Sequence, residues 1–176
     1  MPDELNLELQ DISWPMTYTD HDRPIARSIL ADDDGMFYFV RCNRGEHDRF
    51  GKATLIETSG GGIEAGESPE EAIHRELKEE MGADVEILAK IGIVSDYYHL
   101  IHRHNINHYF LCRVLSFGET SMTQDEIEKF RLSTLKMTYE EAMAEYERCK
   151  DTPIGILVYN REVPVLKRAK ELLDNM

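Results

Sequence analysis

Several things are scarce in this chain, and each scarcity removes a class of function. Cysteine occurs three times, as Cys42, Cys112 and Cys149, scattered and without CxxC spacing. That usage argues against a disulfide framework or a zinc ribbon and predicts reduced thiols in a cytoplasmic protein. No apolar run approaches the roughly 18 residues of a transmembrane helix. No signal-peptide pattern opens the chain, so neither export nor a membrane anchor is expected. Positive charge is the minority sign, with 20 Lys+Arg against 34 Asp+Glu and a net charge of -14. Such a field repels polyanions, so neither a polymeric nucleic acid nor an anionic membrane is the expected partner. Internal repeats, low-complexity tracts and composition breaks are missing as well. The 176 residues, 41% of them hydrophobic, are therefore expected to form one domain, residues 1–176, with a substantial core. The acidic segment 1–11 frays or adds an edge element.

What the chain does have is concentrated between Gly61 and Ala83, GGIEAGESPEEAIHRELKEEMGA. A glycine-rich loop runs there into a helix. Ser68 suits the N-cap, Pro69 the first helical position, and Glu71 a capping box with Ser68. At about 100° per residue Ile73, Leu77 and Met81 share one face, the stripe a helix buries. Glu76, Glu79 and Glu80 occupy a different arc. Like charges at this spacing cost a few tenths of a kcal/mol, so a cation is expected beside them. Oxygen-only ligands select a hard ion such as Mg²⁺ or Mn²⁺.

The segment resembles the signature of the Nudix hydrolases: Gly61, five residues, Glu67, seven residues, then Arg75-Glu76-Leu77-x-Glu79-Glu80-x-Gly82. It departs at Ala83, where a larger aliphatic is usual, and at Ser59, where Pro is common. Many fixed positions at set spacing make the match specific, and the resemblance extends from about Ile25 to Met143. It implies an α/β fold with a mixed β-sheet sandwiched between α-helices. It also implies hydrolysis of a pyrophosphate linkage in a nucleoside diphosphate joined to another group. By matching positions, Glu76, Glu79 and Glu80 become metal ligands for Mg²⁺ or Mn²⁺, with the Gly60 carbonyl as a further one. Arg75 orients the box carboxylates and Glu67 braces the loop. The general base is either a box glutamate, Glu79 included, or a carboxylate on a later loop, where Glu126 leads Glu128 and Asp125. The implied partner is a small nucleotide-type substrate, and relatives that pair suggest a homodimer. Sugar nucleotides, dinucleoside polyphosphates, oxidised nucleoside triphosphates and ADP-ribose all suit the box. Two other readings on the same fold are a ligand-binding regulator and an isopentenyl-diphosphate isomerase. The isomerase needs a cysteine where this chain has Gly60.

Around the box, Ile25 to Ala31 reads as a strand, the Asp32–Gly35 stretch as a turn, and Met36 to Cys42 as the returning strand. The lone Trp14 reads as a buried residue, with base stacking as the alternative. Asn43 to Gly51 is a polar loop. Arg41, Arg44 and Arg49 lie in or beside it, and they suit a distal phosphate or are plain surface charge. Lys52 to Thr58 is a strand feeding the glycine loop. Val85 to Val94 and His108 to Leu115 form a hairpin around an aromatic and histidine-rich stretch. There Tyr97 or Tyr98 suits a base, and Arg103 or His102 a phosphate. A zinc reading of His99, His102, His104 and His108 is disfavoured, because strand alternation sends neighbours to opposite faces. Ser116 to Thr138 reads as mostly loop and Tyr139 to Lys150 as a helix. A last helix is expected from about Asn160 to Leu173, with Pro164 in its first turn.

Overall fold

The computed structural model describes residues 3–118, 124–125 and 134–176. Strands β1 (Leu5–Leu9), β2 (His21–Ala31), β3 (Phe37–Arg44), β4 (Ala53–Glu57) and β5 (Ser59–Gly62) lead into helix α1 (Pro69–Met81). Strands β6 (Ala83–Tyr98) and β7 (Arg103–Phe117) follow, then β8 (Thr134–Met137), α2 (Tyr139–Cys149) and α3 (Pro153–Asp174). The strands form one eight-stranded sheet in the order β1-β6-β7-β2-β3-β4, with β5 beside β2 and β8 beside β3. Pairing is parallel for β1 with β6 and for β2 with β7, and antiparallel elsewhere.

Strand alternation divides the apolar residues between the two faces of this sheet. On β2, Ala26 and Leu30 pack with Phe110 and Cys112 of β7 against Ala72, Ile73, Leu77 and Met81 of α1. Their neighbours Ile29 and Ala31 join Phe37, Phe39, Tyr109 and Leu111 under Tyr146 of α2 and Val158 and Leu166 of α3. The sheet is thus mixed and lies between α1 on one face and α2 with α3 on the other, the expected α/β layering. The short Ala83 is buried where β6 begins. Trp14 meets Phe50 edge-on at 5.5 Å and packs against the larger core, in agreement with the burial reading. No helix among the described residues is long and apolar enough to cross a membrane.

Several boundaries differ from those read along the chain. The glycines after Thr58 are a strand, because β5 gains its partner from β2, with Gly61 opposite Ala26. Strands β6 and β7 continue well past the expected hairpin, so only His99–Ile101, a single 3₁₀ turn, separates Tyr98 from His102. Segment 1–11 takes the edge-element alternative of its reading, as strand β1 in parallel register on β6. Strand β8 falls within the stretch read as loop. Helix α3 starts at Pro153, capped by the Thr152 hydroxyl, which accepts from Gly155 N–H. The PIGIL stretch looks like a linker because it holds Pro and Gly. Pro153 is simply at N1, and a Cβ on Gly155 would meet the Cys149 carbonyl at 1.7 Å. Pro164 consequently lies in the helix interior, not in its first turn.

Candidate active site

Helix α1 sets the site because its two ends are fixed. The Ser68 hydroxyl accepts from Glu71 N–H at 3.1 Å, and the Glu71 carboxylate accepts from that hydroxyl at 3.2 Å instead of closing a reciprocal box. Gly82 ends the helix in the left-handed region, with φ 63°. With Ile73, Leu77 and Met81 buried, the arc bearing Arg75, Glu76, Glu79 and Glu80 turns toward the glycine strand β5.

Arg75 is the organising group. Its Nε and Nη2 donate to the two oxygens of Glu67 at 2.7 and 2.8 Å, and Nη2 also donates to the Gly62 carbonyl at 3.0 Å. Its Nη1 donates to Glu76 at 2.7 Å and reaches Glu79 at 3.4 Å. One guanidinium therefore ties loop, strand and helix together in a fork no lysine would reproduce. Its own pKa is raised by the Glu67 and Glu76 carboxylates. Glu67 is held down at about 2, mainly by Arg75 and then by the Glu64 N–H.

Glu80 is stationed differently. The Ser59 hydroxyl donates to it at 2.7 Å and Gly60 N–H at 3.2 Å. Although the residue is exposed on the helix surface, its carboxylate end lies against the strand. Partial withdrawal from water raises its pKa, the two hydrogen bonds oppose that rise, and the Glu76 charge adds to it. Glu79 is the freest of the three, with a side chain 63% exposed. Among the described residues, no three His, Cys, Asp or Glu side chains are gathered closely enough to hold an ion as they stand. The donor set nevertheless fits a hard divalent cation. It is all oxygen, and Glu76 occupies space that exists only because Gly61 has no side chain: a Cβ there would lie 2.5 Å from its carboxyl carbon. A cation beside Glu76 and Glu80 would also relieve the mutual repulsion that raises Glu80.

The opposite face of the sheet carries a buried polar network. Arg161 is 1% and Glu162 0% exposed. Arg161 donates to Tyr98 Oη at 2.6 Å, Asp96 at 3.2 Å and Glu162 at 3.3 Å. Glu162 also accepts from Thr58 and from Tyr109 Oη. Arg27 donates to Asn107 at 2.9 Å and to the Thr58 carbonyl at 3.4 Å, and Asn107 donates to Asp96. This network lies behind the strand that presents Ser59 and Gly60 to Glu80.

Residues singled out along the chain are distributed unevenly. Arg75, Glu67, Glu76, Glu79, Glu80 and Gly60 come together. Tyr98 and Arg103 are register partners on β6 and β7, but the Tyr98 hydroxyl is engaged by Arg161 and burial pushes its pKa up to about 12. Arg41 lines a separate groove between the sheet and α2, with Thr54, Leu135, Glu145 and Arg148 and no box residue. Arg49 is exposed, and among the described residues no contact joins it to the box. Arg44 is paired to Asp48 and lies over the Phe50 ring. His99 and His104 flank the Tyr97 ring, while His102 stacks on Tyr18. Glu126 and Glu128 lie outside the described residues, and Asp125 is exposed. The three cysteines are free thiols, with Cys112 pushed up to about 11 by burial. Reading along the chain missed Ser59 as a donor, Arg23 and Arg27 as neighbours of the glycine strand, and Asn105 as the partner of Arg23 across β2 and β7. Extending the β2 alternation back to His21 would have put Arg23 and Arg27 on one face.

A NUDIX domain family model matches residues 21–169. The chain belongs to the Nudix family. Over 69 residues it is 42% identical to an RNA pyrophosphohydrolase from Saccharophagus degradans, a match covering 38% of this chain and 36% of that protein. The chain thus spans about a third of the length of the curated relative it matches. Among solved structures it resembles a NUDIX hydrolase from Nitrosomonas europaea, with TM-score 0.59 and 17% identity, over 82% of this chain and 90% of that one. It is also similar to the MutT protein of Methanosarcina mazei Go1, with TM-score 0.54 and 17% identity, over 89% and 97%. These likenesses agree with the Nudix fold. The Gly60 position also weighs against the isomerase reading, since a Cβ there would fall 2.0 Å from the Ala26 carbonyl oxygen.

Proposed function

We propose that this Nudix protein is a divalent-cation-dependent hydrolase that cleaves a pyrophosphate linkage in a nucleoside diphosphate joined to another group. The observation that carries the reading is the Arg75 fork, which ties Glu67, Gly62 and Glu76 into one unit beside Glu79 and Glu80. Glu76, Glu79 and Glu80, with the Gly60 carbonyl, would hold Mg²⁺ or Mn²⁺. The ion supplies charge neutralisation and a more acidic water. The chain's own residues do the rest. Arg75 fixes the carboxylates, Ser59 and Gly60 N–H aim Glu80, and a carboxylate oxygen of Glu79 or Glu126 takes the proton from the attacking water. Glu79 suits that role because it is the least constrained box carboxylate. The expected substrate is small and phosphorylated, the working compartment is the cytoplasm, and sedimentation of the free protein tests the homodimer.

The test is phosphate or nucleotide release from a panel with Mg²⁺: a sugar nucleotide, a dinucleoside polyphosphate, a nucleoside triphosphate, ADP-ribose and a 5′-triphosphorylated RNA oligonucleotide. Glu79→Gln and Glu80→Gln should each lower turnover at least ~100-fold with circular dichroism unchanged. Near-normal activity in both variants, or full hydrolysis in excess chelator, overturns the reading. A protein that binds panel members but hydrolyses none would be the regulator instead. Glu126→Gln separates the two bases: lost turnover with unchanged Mg²⁺ affinity assigns Glu126, and no change assigns the box.

A further inference from the structure

Among the described residues, two arginines on the sheet face opposite α1, Arg23 and Arg103, have no carboxylate partner. Alternation places Arg23 on the face of Ile29, and Arg103 and Asn105 on the face of Tyr109, within the α2–α3 side. Arg23 is opposite Asn105 in the parallel β2–β7 register, and Arg103 is two residues from Asn105 on the same strand. The Arg23 guanidinium reaches the glycine strand, where a Cβ on Gly62 would be 3.4 Å from its Nη2. Successive glycines therefore look in opposite directions, Gly61 toward the Glu76 carboxylate and Gly62 toward Arg23.

Among the described residues, neither Arg23 nor Arg103 has a carboxylate within ion-pair distance. Arg41 and Arg49 are unpaired too but exposed, and Arg27 is hydrogen-bonded to Asn107 and the Thr58 carbonyl, whereas Arg23 and Arg103 are half-buried. Asp96, opposite Asn105 on β6, is already taken by Arg161 and Asn107. Burial lowers the Arg103 pKa and the Arg23 charge lowers it further, so the two guanidiniums repel across the face. Two buried polar atoms there have no partner, Arg103 Nε and Asn105 Oδ1, and Asn105 is only 2% exposed. Leaving such groups unmet is costly unless a ligand satisfies them. The Asn105 amide, turned about its last bond, offers N–H donors to the same ligand.

We propose that Arg23, Arg103 and Asn105 form an anion subsite that takes the phosphate of the substrate furthest from the box carboxylates. Guanidinium forks match phosphate oxygens in pairs. A polyphosphate crossing the glycine strand meets acidic, cation-dependent groups on the Gly61 side and fixed positive charge on the Gly62 side. The preferred substrate class is then one with three or more phosphates, or with a further phosphate beyond the cleaved pyrophosphate, over a sugar nucleotide with an uncharged sugar. This rests on the hydrolase reading for its location, but its binding half does not depend on turnover.

The test compares wild type with Arg23→Gln, Arg103→Gln and the double variant. In Mg²⁺, the double variant should raise KM for a nucleoside triphosphate at least ~10-fold while kcat changes little. KM for a sugar nucleotide should change less than ~3-fold, on the scale of losing charge-assisted phosphate contacts. In excess chelator at low salt, calorimetric titration with tripolyphosphate should show weak binding in wild type and in Glu79→Gln, reduced at least ~10-fold in the double variant. Arg23→Lys with Arg103→Lys, if it restores part of that binding with an unchanged melting temperature, excludes a folding defect. Equal losses on both substrates, or no loss of tripolyphosphate affinity, overturns the subsite. If no panel member is hydrolysed yet tripolyphosphate binding depends on both arginines, the subsite stands and the hydrolase reading falls.

Discussion

A methyl group added to Gly61 would sit 2.5 Å from the carboxyl carbon of Glu76 and 2.6 Å from its Oε1. The atom in the way is the far end of a flexible side chain, so the fold has an easy escape. Glu76 swings aside and gives up its 2.7 Å bond from Arg75. Gly61→Ala should therefore lower kcat at least ~10-fold, since a displacement of about 1 Å in a positioned group can cost 10²-fold. Its melting temperature should stay within a few degrees of wild type. Full activity would mean that Glu76 does not have to stay where the structure places it.

Ser59 gives the departure from the usual proline a chemical role. Its hydroxyl donates to Glu80 at 2.7 Å, and a bond to the charged form favours ionisation. Burial already raises the Glu80 pKa. Ser59→Ala removes one of the opposing bonds, so that pKa climbs further. A carboxylate that must be ionised to act is then lost at a higher pH, and the acidic limb of the kcat/KM profile should move upward. Ser59→Thr should restore the limb. A profile that keeps its acidic limb in Ser59→Ala would detach Glu80 ionisation from turnover.

The buried pair behind the glycine strand yields a stability prediction. Burial alone would raise the Glu162 pKa, but Arg161 and Arg27, with bonds from Tyr109 and Thr58, hold it below the usual value. Arg161→Met leaves Glu162 and Asp96 without their shared cation. Breaking a buried pair in this way costs about 3–5 kcal/mol. Urea unfolding should show a loss of that order, and the Arg161→Met/Glu162→Gln double variant should lose less than the sum of the singles. Additive losses would mean the two residues stabilise the core independently.

The box was legible in the sequence because everything it uses is local. Ser68, Pro69 and the Ile73–Leu77–Met81 stripe specify a capped amphipathic helix within one short window, and the spacing of Glu67, Arg75 and the glutamates follows from it. The layered α/β architecture was legible for a related reason, since strand alternation is also local. Of the other half only Arg103 was, as a phosphate contact. Arg23 meets Asn105 only through parallel pairing of β2 with β7, a contact that no window of sequence contains. Strand β5 looked like loop because three glycines have low strand propensity, and its pairing with β2 overrides that. Arg161 and Glu162 fall at the start of the helix expected from about Asn160, where nothing local marks them as buried. Their burial comes from a starting point at Pro153 that the Gly155 contact with Cys149 permits.

The Glu67–Arg75 fork carries a pH signature. Glu67 titrates at about 2 in the folded chain against an ordinary 4.5. Its folded pKa is depressed, so the unfolded chain binds the proton first as pH falls. The stability this carboxylate contributes is present in full above pH about 4.5 and drains away as pH falls toward about 2. Glutamine keeps the shape and an acceptor but not the charge. The melting temperature of Glu67→Gln should lie below that of wild type at neutral pH. The gap should narrow progressively below about 4.5, because wild type alone is losing the interaction. Raised salt should leave most of the gap in place, since three short hydrogen bonds to Glu67, two from Arg75 and one from Glu64 N–H, are screened less than a loose surface pair. Differential scanning calorimetry of the two proteins across that range is the measurement. A gap independent of pH would show that shape, and not the charge on Glu67, is what holds the loop to the helix.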